Sequence, residues 1–256
     1  MAMPRKGLSA SLEYRLRRPI NALISNHCAP SALTQTWLAL RFVVACCLVI
    51  SLLAIGRAHA DSTDESLRVY AVHILQGPNQ SPTGAGIYLG KGLVITAAHV
   101  TNSRQPGVSI AGLSLPASII KKGEFEQIDL ALLSVDEEKL PISLRLRRMP
   151  LCQQPPWVGE SVIIAIPEST ARSHIMSPLL LPPKFQMRFR TVISDVATTG
   201  NSGSGVFDAG RKCLLGVMSL RIFVFPKGDK TKEKDIAKYF VPASAIAAFV
   251  PGDYRF

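Results

Sequence analysis

The sequence lacks the features that mark several protein classes. Its longest uncharged apolar run, residues 42–55, has 14 residues, whereas a membrane-spanning helix needs about 20. Histidines and cysteines do not occur at metal-ligand spacing, and no internal repeat or low-complexity tract is present. Helical periodicity is almost absent after residue 66. We therefore expect no helical bundle, no repeat array and no bound metal or cofactor.

The first 60 residues have the composition of a targeting segment. A basic stretch precedes the apolar run, and Ala58-His59-Ala60 follows it, as at a signal peptidase site. This predicts a secretory signal over residues 1–60 and a mature domain over residues 61–256, exported to the bacterial periplasm or secreted. Two alternatives stay open. Residues 1–41 are also typical of an organelle transit peptide, and without cleavage the apolar run would anchor the domain to a membrane.

Positive charge is concentrated in that first segment. The chain carries 29 Lys and Arg against 18 Asp and Glu, but seven of the basic residues and one of the acidic residues lie within residues 1–60, so the net charge falls from +11 to +5 beyond it. The remaining basic residues stand in loops without interleaved aromatic residues. We therefore expect no nucleic-acid partner.

Cysteine is scarce outside the targeting segment. Only two of the five cysteines, Cys152 and Cys213, remain after residue 60. An even pair in an exported domain predicts a disulfide bond between them.

Eleven short apolar or alternating runs, separated by Gly, Pro, Asn and Ser, predict β-strands. They span residues 67–75, 84–89, 92–97, 108–110, 118–120, 129–135, 161–166, 188–193, 205–208, 214–220 and 239–241. So many short strands with little helix between them indicate an all-β barrel or sandwich. Residues 243–250 predict a short C-terminal helix of one or two turns.

Two polar residues in apolar surroundings are candidates for chemistry. His99 ends the stretch GLVITAAHV, although a single histidine at a strand end is more often an ordinary residue of a sheet edge. Asp129 opens the apolar run DLALL, where a buried carboxylate would need a cation or strong donors. The alternative is that Asp129 caps the strand in water. Asp136 and Asp195 lie in more polar, turn-like surroundings.

The stretch TTGNSGSGVF contains Ser202 and Ser204 among three glycines. Because an apolar strand follows at once, the glycines indicate a turn between core strands and not a flexible linker. Such a turn allows backbone N–H groups to converge on one point, as an oxyanion hole requires. Neither serine has the G-x-S-x-G context of an α/β-hydrolase nucleophile, and the order His, Asp, Ser is that of chymotrypsin-like triads.

TAAHV, DLALL and GNSGS, in this order, resemble the catalytic signatures of trypsin-like serine proteases, especially the bacterial high-temperature-requirement (Deg) type. The resemblance spans roughly residues 69–250 and implies two six-stranded antiparallel β-barrels with a catalytic cleft between them. Its motifs indicate His99 as general base, Asp129 as the carboxylate that orients it and Ser202 as nucleophile. Backbone N–H groups of Gly200 and Ser202 would form the oxyanion hole. Ser204 replaces a glycine of the commoner motif and is interpreted as structural.

The sequence departs from this family in two ways. Asn201 stands where the digestive enzymes have an aspartate that pairs with a newly cut N-terminus, so we expect no zymogen step of that kind. The PDZ domain of full-length Deg-type enzymes has no counterpart here, so we expect their mode of regulation to be absent or replaced.

The resemblance also indicates a substrate pocket. Val196 and Ala197 align with its lining, and Ser219, Leu220 and Arg221 with its wall. Since no acidic residue aligns with the pocket base, we expect small or medium apolar residues to be preferred over Lys or Arg. Arg221 either narrows the pocket or attracts an acidic residue near the scissile bond. We expect residues 167–184, a Pro-containing loop, to cover the cleft.

These observations lead to one main hypothesis, an exported serine endopeptidase that hydrolyses peptide bonds through a His99–Asp129–Ser202 triad and an acyl-enzyme intermediate. The main alternative is a catalytically inactive pseudo-protease that uses the same fold to bind a peptide or protein. A third hypothesis is a binding module whose Gly/Ser turn is incidental. The expected partner is a protein or peptide, with membrane contact limited to an uncleaved N-terminal anchor.

Overall fold

The computed structural model describes residues 64–103, 105–194, 202–225 and 231–252. Their strands form two closed, six-stranded antiparallel barrels. The strands are β1 Ala71–Leu75, β2 Pro82–Gly90, β3 Leu93–Thr96, β4 Gly107–Ile110, β5 Leu113–Lys122, β6 Ala131–Val135, β7 Ser161–Ala165, β8 Thr170–Met176, β9 Val192–Ser194, β10 Gly205–Asp208, β11 Leu214–Val224 and β12 Lys234–Pro242. The helices are α1 Ile142–Arg145, α2 Pro183–Gln186 and α3 Ala243–Phe249. The predicted fold class, with its short C-terminal helix, is confirmed.

The predicted targeting segment, residues 1–60, lies outside the described residues. Among the helices that the structure describes, none combines the length and the apolar character that crossing a bilayer requires.

The first barrel has the strand order β1-β2-β3-β6-β5-β4 and closes through pairing of β4 with β1. A two-residue turn joins β4 to β5. In this turn Ala111 and Gly112 have φ angles of 50° and 79°, as two-residue hairpin loops prefer. The second barrel has the order β7-β8-β9-β12-β11-β10 and closes through pairing of β10 with β7.

Strands at the centre of the molecule are buried on both faces. In β2, Tyr88 packs inside the first barrel, whereas Ile87 and Leu89 belong to an apolar cluster that both barrels share. In β10, Phe207 joins this shared cluster, whereas Val206 packs inside the second barrel. Because successive side chains of a strand point to opposite faces, burial of both faces requires continuous apolar runs. This explains why the sequence reveals these strands clearly.

Each of the eleven predicted strands corresponds to an observed strand, although several ends differ by a few residues. The observed strand without a predicted counterpart is β8, and the prediction that residues 167–184 form a loop over the cleft is wrong for Thr170–Met176. Two inward positions of β8 are Ser173 and Ile175. The Ser173 hydroxyl forms a hydrogen bond with the Ser194 hydroxyl at 2.9 Å. A polar inward residue therefore interrupts the alternation that marks a strand.

The chain enters the first barrel along a segment bound to the second barrel. Asp64 is 3% exposed and accepts hydrogen bonds from Arg172 Nε at 2.6 Å and Lys212 Nζ at 2.8 Å. Arg172 lies on β8, and Lys212 lies in the turn between β10 and β11. Both barrels and these ion pairs lie within residues 64–252, so we expect a chain that starts at Asp61 to fold without the targeting segment.

Two buried carboxylates of the second barrel share one guanidinium group. Arg211 donates to both Glu160 and Asp208, and Asp208 also accepts the backbone N–H groups of Gly210 and Arg211 at 2.7 Å. Burial opposes ionisation of Asp208, but these donors and the Glu160 carboxyl lower the pKa of Asp208 to about 2. Burial, with the neighbouring Asp208, raises the pKa of Glu160. The arrangement stabilises the turn that leads to Cys213.

The predicted disulfide between Cys152 and Cys213 is confirmed, with a Cα–Cα distance of 5.1 Å. It lies beside a short bridge in which Cys152 N–H donates to Leu214 O at 2.9 Å and Leu214 N–H donates to Pro150 O at 2.8 Å. The bond therefore fastens the segment that connects the two barrels to the start of β11.

Replacing both cysteines, as Cys152→Ser with Cys213→Ser, is expected to lower the free energy of unfolding. The two residues are 61 apart in sequence, and a loop of this length gives a loss of about 4 kcal/mol from the chain entropy of the unfolded state. Urea unfolding of the parent and the double variant measures the difference. The parent protein kept in reducing buffer is the control and should lose the same amount. Equal unfolding midpoints in all three samples would contradict the prediction.

Candidate active site

His99 lies immediately after β3, in a short 3-10 helix, Ala98–Val100. Its neighbours Ala98 and Val100 are buried, so the apolar core on either side fixes the backbone of this turn. The imidazole is half-buried, and the exposed aromatic ring of Phe125 packs edge to face against it with ring centroids 5.4 Å apart. The histidine is therefore held at the edge of the core and is not an ordinary residue of a sheet edge.

Asp129 lies just before β6 and is 4% exposed. Its Oδ1 accepts the backbone N–H of His99 at 3.0 Å, and its Oδ2 lies 2.8 Å from His99 Nδ1. The same Oδ2 accepts the Ser219 hydroxyl at 2.5 Å. Burial alone would raise the pKa of Asp129, but the hydrogen bonds from His99 and Ser219 lower it below its ordinary value. The interpretation of Asp129 as a strand cap in water is wrong. Its competitor Asp136 instead accepts the Glu138 N–H at the surface.

Ser219 occupies a break in the register between β11 and β12, which shifts between Met218 and Leu220. Its side chain is buried, with the residue 1% exposed. The Ser219 hydroxyl donates to Asp129, and the Ser219 carbonyl oxygen accepts the Ser202 hydroxyl at 3.2 Å. Ser219, predicted for the pocket wall, thus connects Asp129 to Ser202 through contacts that no local sequence pattern indicates.

Ser202 is half-buried on a turn that both barrels hold. Its carbonyl oxygen accepts the Ala85 N–H from β2 at 2.9 Å, and the next N–H, of Gly203, donates to Met218 O on β11 at 2.7 Å. Gly203 has a φ of +92°, and a Cβ atom there would lie 1.8 Å from Ala85 O. Ser204 is fully buried and accepts the Met218 N–H at its carbonyl. Of the two serines, Ser202 is therefore the accessible one.

His99 and Ser202 line one cleft of about 670 Å³, together with Phe125, Ser219 and Arg221. Phe125 comes from a polar stretch, KKGEFEQ, in which no pattern indicates a functional residue. Ser219 is too buried for substrate to reach its hydroxyl, although that hydroxyl contacts Asp129 directly. The arrangement can accept a proton at His99, keep a carboxylate ionised behind it and present one hydroxyl, Ser202, to a bound molecule.

Arg221, predicted for the pocket wall, lines this cleft, and its charge is paired with two acidic side chains. The guanidinium contacts Glu233 and, at 3.2 Å, Asp235. It also stacks over the Phe223 ring, with 5.0 Å between the guanidinium carbon and the ring centroid. Three other predicted site residues, Gly200, Val196 and Ala197, lie outside the described residues, as do Asp195 and Asn201.

Comparison with protein-family models and with curated proteins finds no match. Solved structures do match. The MamO protease domain from Magnetospirillum magneticum aligns with a TM-score of 0.50 at 19% identity, over 72% of this chain and 97% of that one. The Rv3671c protease of M. tuberculosis, in its inactive form, gives a TM-score of 0.50 at 18% identity over 74% of this chain and 91% of that one.

A serine endoprotease from Yersinia pestis aligns at 20% identity with a TM-score of 0.49, over 71% of this chain, and this chain spans only 61% of its length. At 18–19% identity, the alignments with the MamO and Rv3671c proteases, both with a TM-score of 0.50, show a shared fold alone. The chain has the chymotrypsin fold. Within that fold, the contacts of Asp129 with His99 and Ser219, and of Ser202 with Ser219, are properties of this chain itself.

Replacing Gly203 by alanine is expected to destabilise the protein far more than the same change at Gly112. Both glycines have positive φ angles, but a Cβ at Gly112 meets nothing within 4 Å, whereas a Cβ at Gly203 overlaps Ala85 O. We expect a loss of about 1 kcal/mol for Gly112→Ala, from backbone strain alone, and about 3 kcal/mol or more for Gly203→Ala. Urea unfolding of both variants measures this, and equal losses would disprove the close approach.

Ser219→Ala is expected to cost about 2 kcal/mol of stability at neutral pH, because a buried carboxylate loses one donor. The lowered pKa of Asp129 means that its ionised form stabilises the fold above the ordinary value of 3.8, and that this contribution disappears as the pH falls further. The difference between parent and variant should therefore shrink on acidification.

Ser173→Ala is the matched control for this experiment, since its buried hydroxyl bonds a neutral group, the Ser194 hydroxyl. Its cost should not vary with pH. Urea unfolding across a pH series tests both variants, and a Ser219→Ala cost that stays constant with pH would show that the hydroxyl does not stabilise the ionised carboxylate.

Proposed function

We propose that the protein is an exported serine endopeptidase, related to the Deg-type enzymes, that cleaves peptide bonds with His99, Asp129 and Ser202. The observation that carries this proposal is the contact of His99 with a buried, ionised Asp129 in the same cleft as the accessible Ser202. Residues from both barrels and from distant parts of the sequence meet there. A structural role alone does not require a buried carboxylate behind a half-exposed imidazole.

The contact of Asp129 with Nδ1 defines the role of each imidazole nitrogen. Because a carboxylate accepts hydrogen bonds, it holds the neutral imidazole with its proton on Nδ1, which leaves Nε2 as the acceptor. The Ser202 hydroxyl redirects its proton from Ser219 O to Nε2 as its oxygen attacks the substrate carbonyl carbon. Asp129 then stabilises the imidazolium that forms.

The proposed reaction has two halves, and in each half the bonds formed are matched by the bonds broken. In the first, the Ser202 oxygen bonds to the carbonyl carbon, the C–N bond breaks, and His99 returns its proton to the leaving amine. In the second, water bonds to the ester carbonyl carbon and gives a proton to His99, the bond between that carbon and the Ser202 oxygen breaks, and His99 returns the proton to Ser202 as the carboxylic acid product leaves. The N–H groups of Gly200 and Ser202 are proposed to stabilise the oxyanion. The fixed turn at Gly203 supports this assignment, because it holds the backbone next to Ser202 in one conformation.

The shape of the surface around His99 supports cleavage within a chain. A second groove of about 660 Å³ also reaches His99 from the side of Gln76, Gln80 and Gln105. Thr83 lines both grooves, so an extended peptide has room on each side of the scissile bond. Of the two readings of Arg221, the contacts with Glu233 and Asp235 favour narrowing of the cleft. We propose that the pocket lined by Val196 and Ala197 prefers small or medium apolar residues of the substrate.

Export is proposed from the targeting segment and is supported by the disulfide between Cys152 and Cys213. Structural disulfides persist in oxidising compartments such as the periplasm and are rare in the cytosol.

Ser202→Ala is expected to abolish hydrolysis of an unfolded casein substrate, with a loss of about 10⁴-fold or more, and to prevent labelling by a fluorophosphonate probe. Ser204→Ala is the matched control, since this serine lies two residues away and is fully buried. It should retain most of the activity and the labelling. Circular dichroism checks that both variants are folded.

Two outcomes of this experiment would contradict the proposal. Equal hydrolysis by the parent and Ser202→Ala would exclude the mechanism. A folded parent protein that neither cleaves casein nor reacts with the probe would favour the pseudo-protease hypothesis.

A further inference from the structure

Residues 177–190, which make up all but the last residue of the connection between β8 and β9, carry large apolar side chains in water. We call this segment the apolar loop. Leu179, Leu180 and Met187 are 78%, 73% and 77% exposed. Single exposed apolar residues are common on protein surfaces, but three within nine residues of one connection form a patch, and such patches mark interaction sites.

The apolar loop holds these side chains outward. It is anchored at Leu181 and Phe189, which are 3% and 7% exposed and pack in the second barrel against Val192 and Ile222. Gln186 Nε2 donates to the carbonyl oxygens of Leu179 and Leu181, at 3.2 and 2.8 Å. Pro178 begins a short 3-10 helix and α2 begins at Pro183. Turning the exposed apolar side chains inward would therefore break the hydrogen bonds that hold the backbone of the loop.

Cationic residues accompany the apolar ones. Lys184, Arg188 and Arg190 are exposed, and residues 177–190 contain no Asp or Glu. The Lys184 ammonium group lies 4.6 Å from the centroid of the Phe185 ring, and the Arg188 guanidinium lies 5.4 Å from that of Phe189. The apolar loop thus combines protruding apolar side chains with positive charges and no negative charge.

A second exposed apolar pair lies beside the start of the loop. Trp157 and Val158 are 63% and 58% exposed. The following residue, Gly159, donates its N–H to Ile175 O at 2.8 Å, which ties this turn to the end of β8, just before the loop. Trp is the residue type that membrane interfaces favour most, together with Tyr.

We propose that the apolar loop, with Trp157 and Val158, docks the folded domain onto an anionic lipid surface. Such surfaces offer an apolar interior to Leu, Met and Trp side chains and negative headgroups to Lys and Arg, which is the pairing that peripheral membrane proteins use. This extends the expectation from the sequence, in which membrane contact was limited to an uncleaved N-terminal anchor.

A second copy of the chain fits this surface less well. A two-fold symmetric contact would place Lys184, Arg188 and Arg190 of one copy against the same residues of the other. Another exposed apolar and basic stretch, around Ile142 and Leu146, does not share this character. Residues 136–148 contain three acidic and four basic residues, so the local charge of this stretch is largely cancelled.

The cluster that anchors the apolar loop and the candidate active site share one residue. Leu220 packs against the cluster that anchors the apolar loop and also lines the cleft with His99 and Ser202. Docking would therefore bring the cleft close to the lipid surface. Substrates near a membrane would then be favoured over those in free solution.

The test is sedimentation of residues 61–256 with vesicles of phosphatidylcholine alone and with equal parts of phosphatidylcholine and phosphatidylglycerol. Omitting residues 1–60 removes the apolar run 42–55, which would itself bind lipid. We expect binding to the anionic vesicles only, reduced by added salt. The combined variant Leu179→Ser, Leu180→Ser, Met187→Ser should bind at least about tenfold more weakly, as should Lys184→Gln, Arg188→Gln, Arg190→Gln.

Leu146→Ser is the matched control, because this leucine is 77% exposed and lies in the other basic stretch. Its binding should equal that of the parent. Trp157 is the only tryptophan after residue 60, so its emission should shift to shorter wavelength on the anionic vesicles. Absence of vesicle binding by the parent, unchanged binding by the triple serine variant, or bound protein with unshifted emission would each overturn the proposal. The readouts are independent of peptidase activity, so they stand or fall separately from the proposed function.

Discussion

The turn from Ser202 to Gly203 is bonded to both barrels at once. Ala85 of the first barrel donates to the Ser202 carbonyl oxygen, and Met218 of the second accepts the Gly203 N–H. The space beside Gly203 is filled by Ala85 O, so only a residue without a Cβ fits. The position of the Ser202 hydroxyl therefore depends on how the two barrels pack, and the apolar cluster that they share holds that packing.

The charge of Asp129 depends on the same packing. The carboxylate lies in the first barrel with almost no exposure, and burial of an ionised group is unfavourable unless donors replace water. His99 supplies two donors from the first barrel, and Ser219 supplies a third from the second. Separation of the barrels would remove the third donor and would expose the cleft. The ionised state of Asp129 therefore depends on the association of the two barrels.

Burial on both faces decides how much of this structure the sequence can predict. The central strands are apolar at successive positions, as in β10 at Val206 and Phe207, so they stand out from the polar turns. β8 was missed because Ser173 faces inward and satisfies its hydroxyl with Ser194, an interaction between strands that no local pattern encodes. The two-barrel arrangement followed from the resemblance of three ordered motifs.

The residues of the candidate site also differ in whether a local sequence pattern predicts them. His99, Asp129 and Ser202 each lie in a recognisable local pattern, and the structure brings His99 and Asp129 into contact. The role of Ser219 depends on a register shift in β11, and that of Phe125 on the fold of a polar connection. Both are tertiary effects of residues far apart in sequence, so neither has a signal in its own segment.

The ion pairs of Asp64 limit how far the N-terminal region can be trimmed. Arg172 and Lys212 of the second barrel hold this buried carboxylate immediately before the chain enters the first barrel. A chain cut before Asp64 keeps the ion pairs that tie this segment to the second barrel. A chain cut after Asp64 leaves Arg172 and Lys212 without their carboxylate partner. These ion pairs between the entering segment and the second barrel are present only in a chain that begins at or before residue 64.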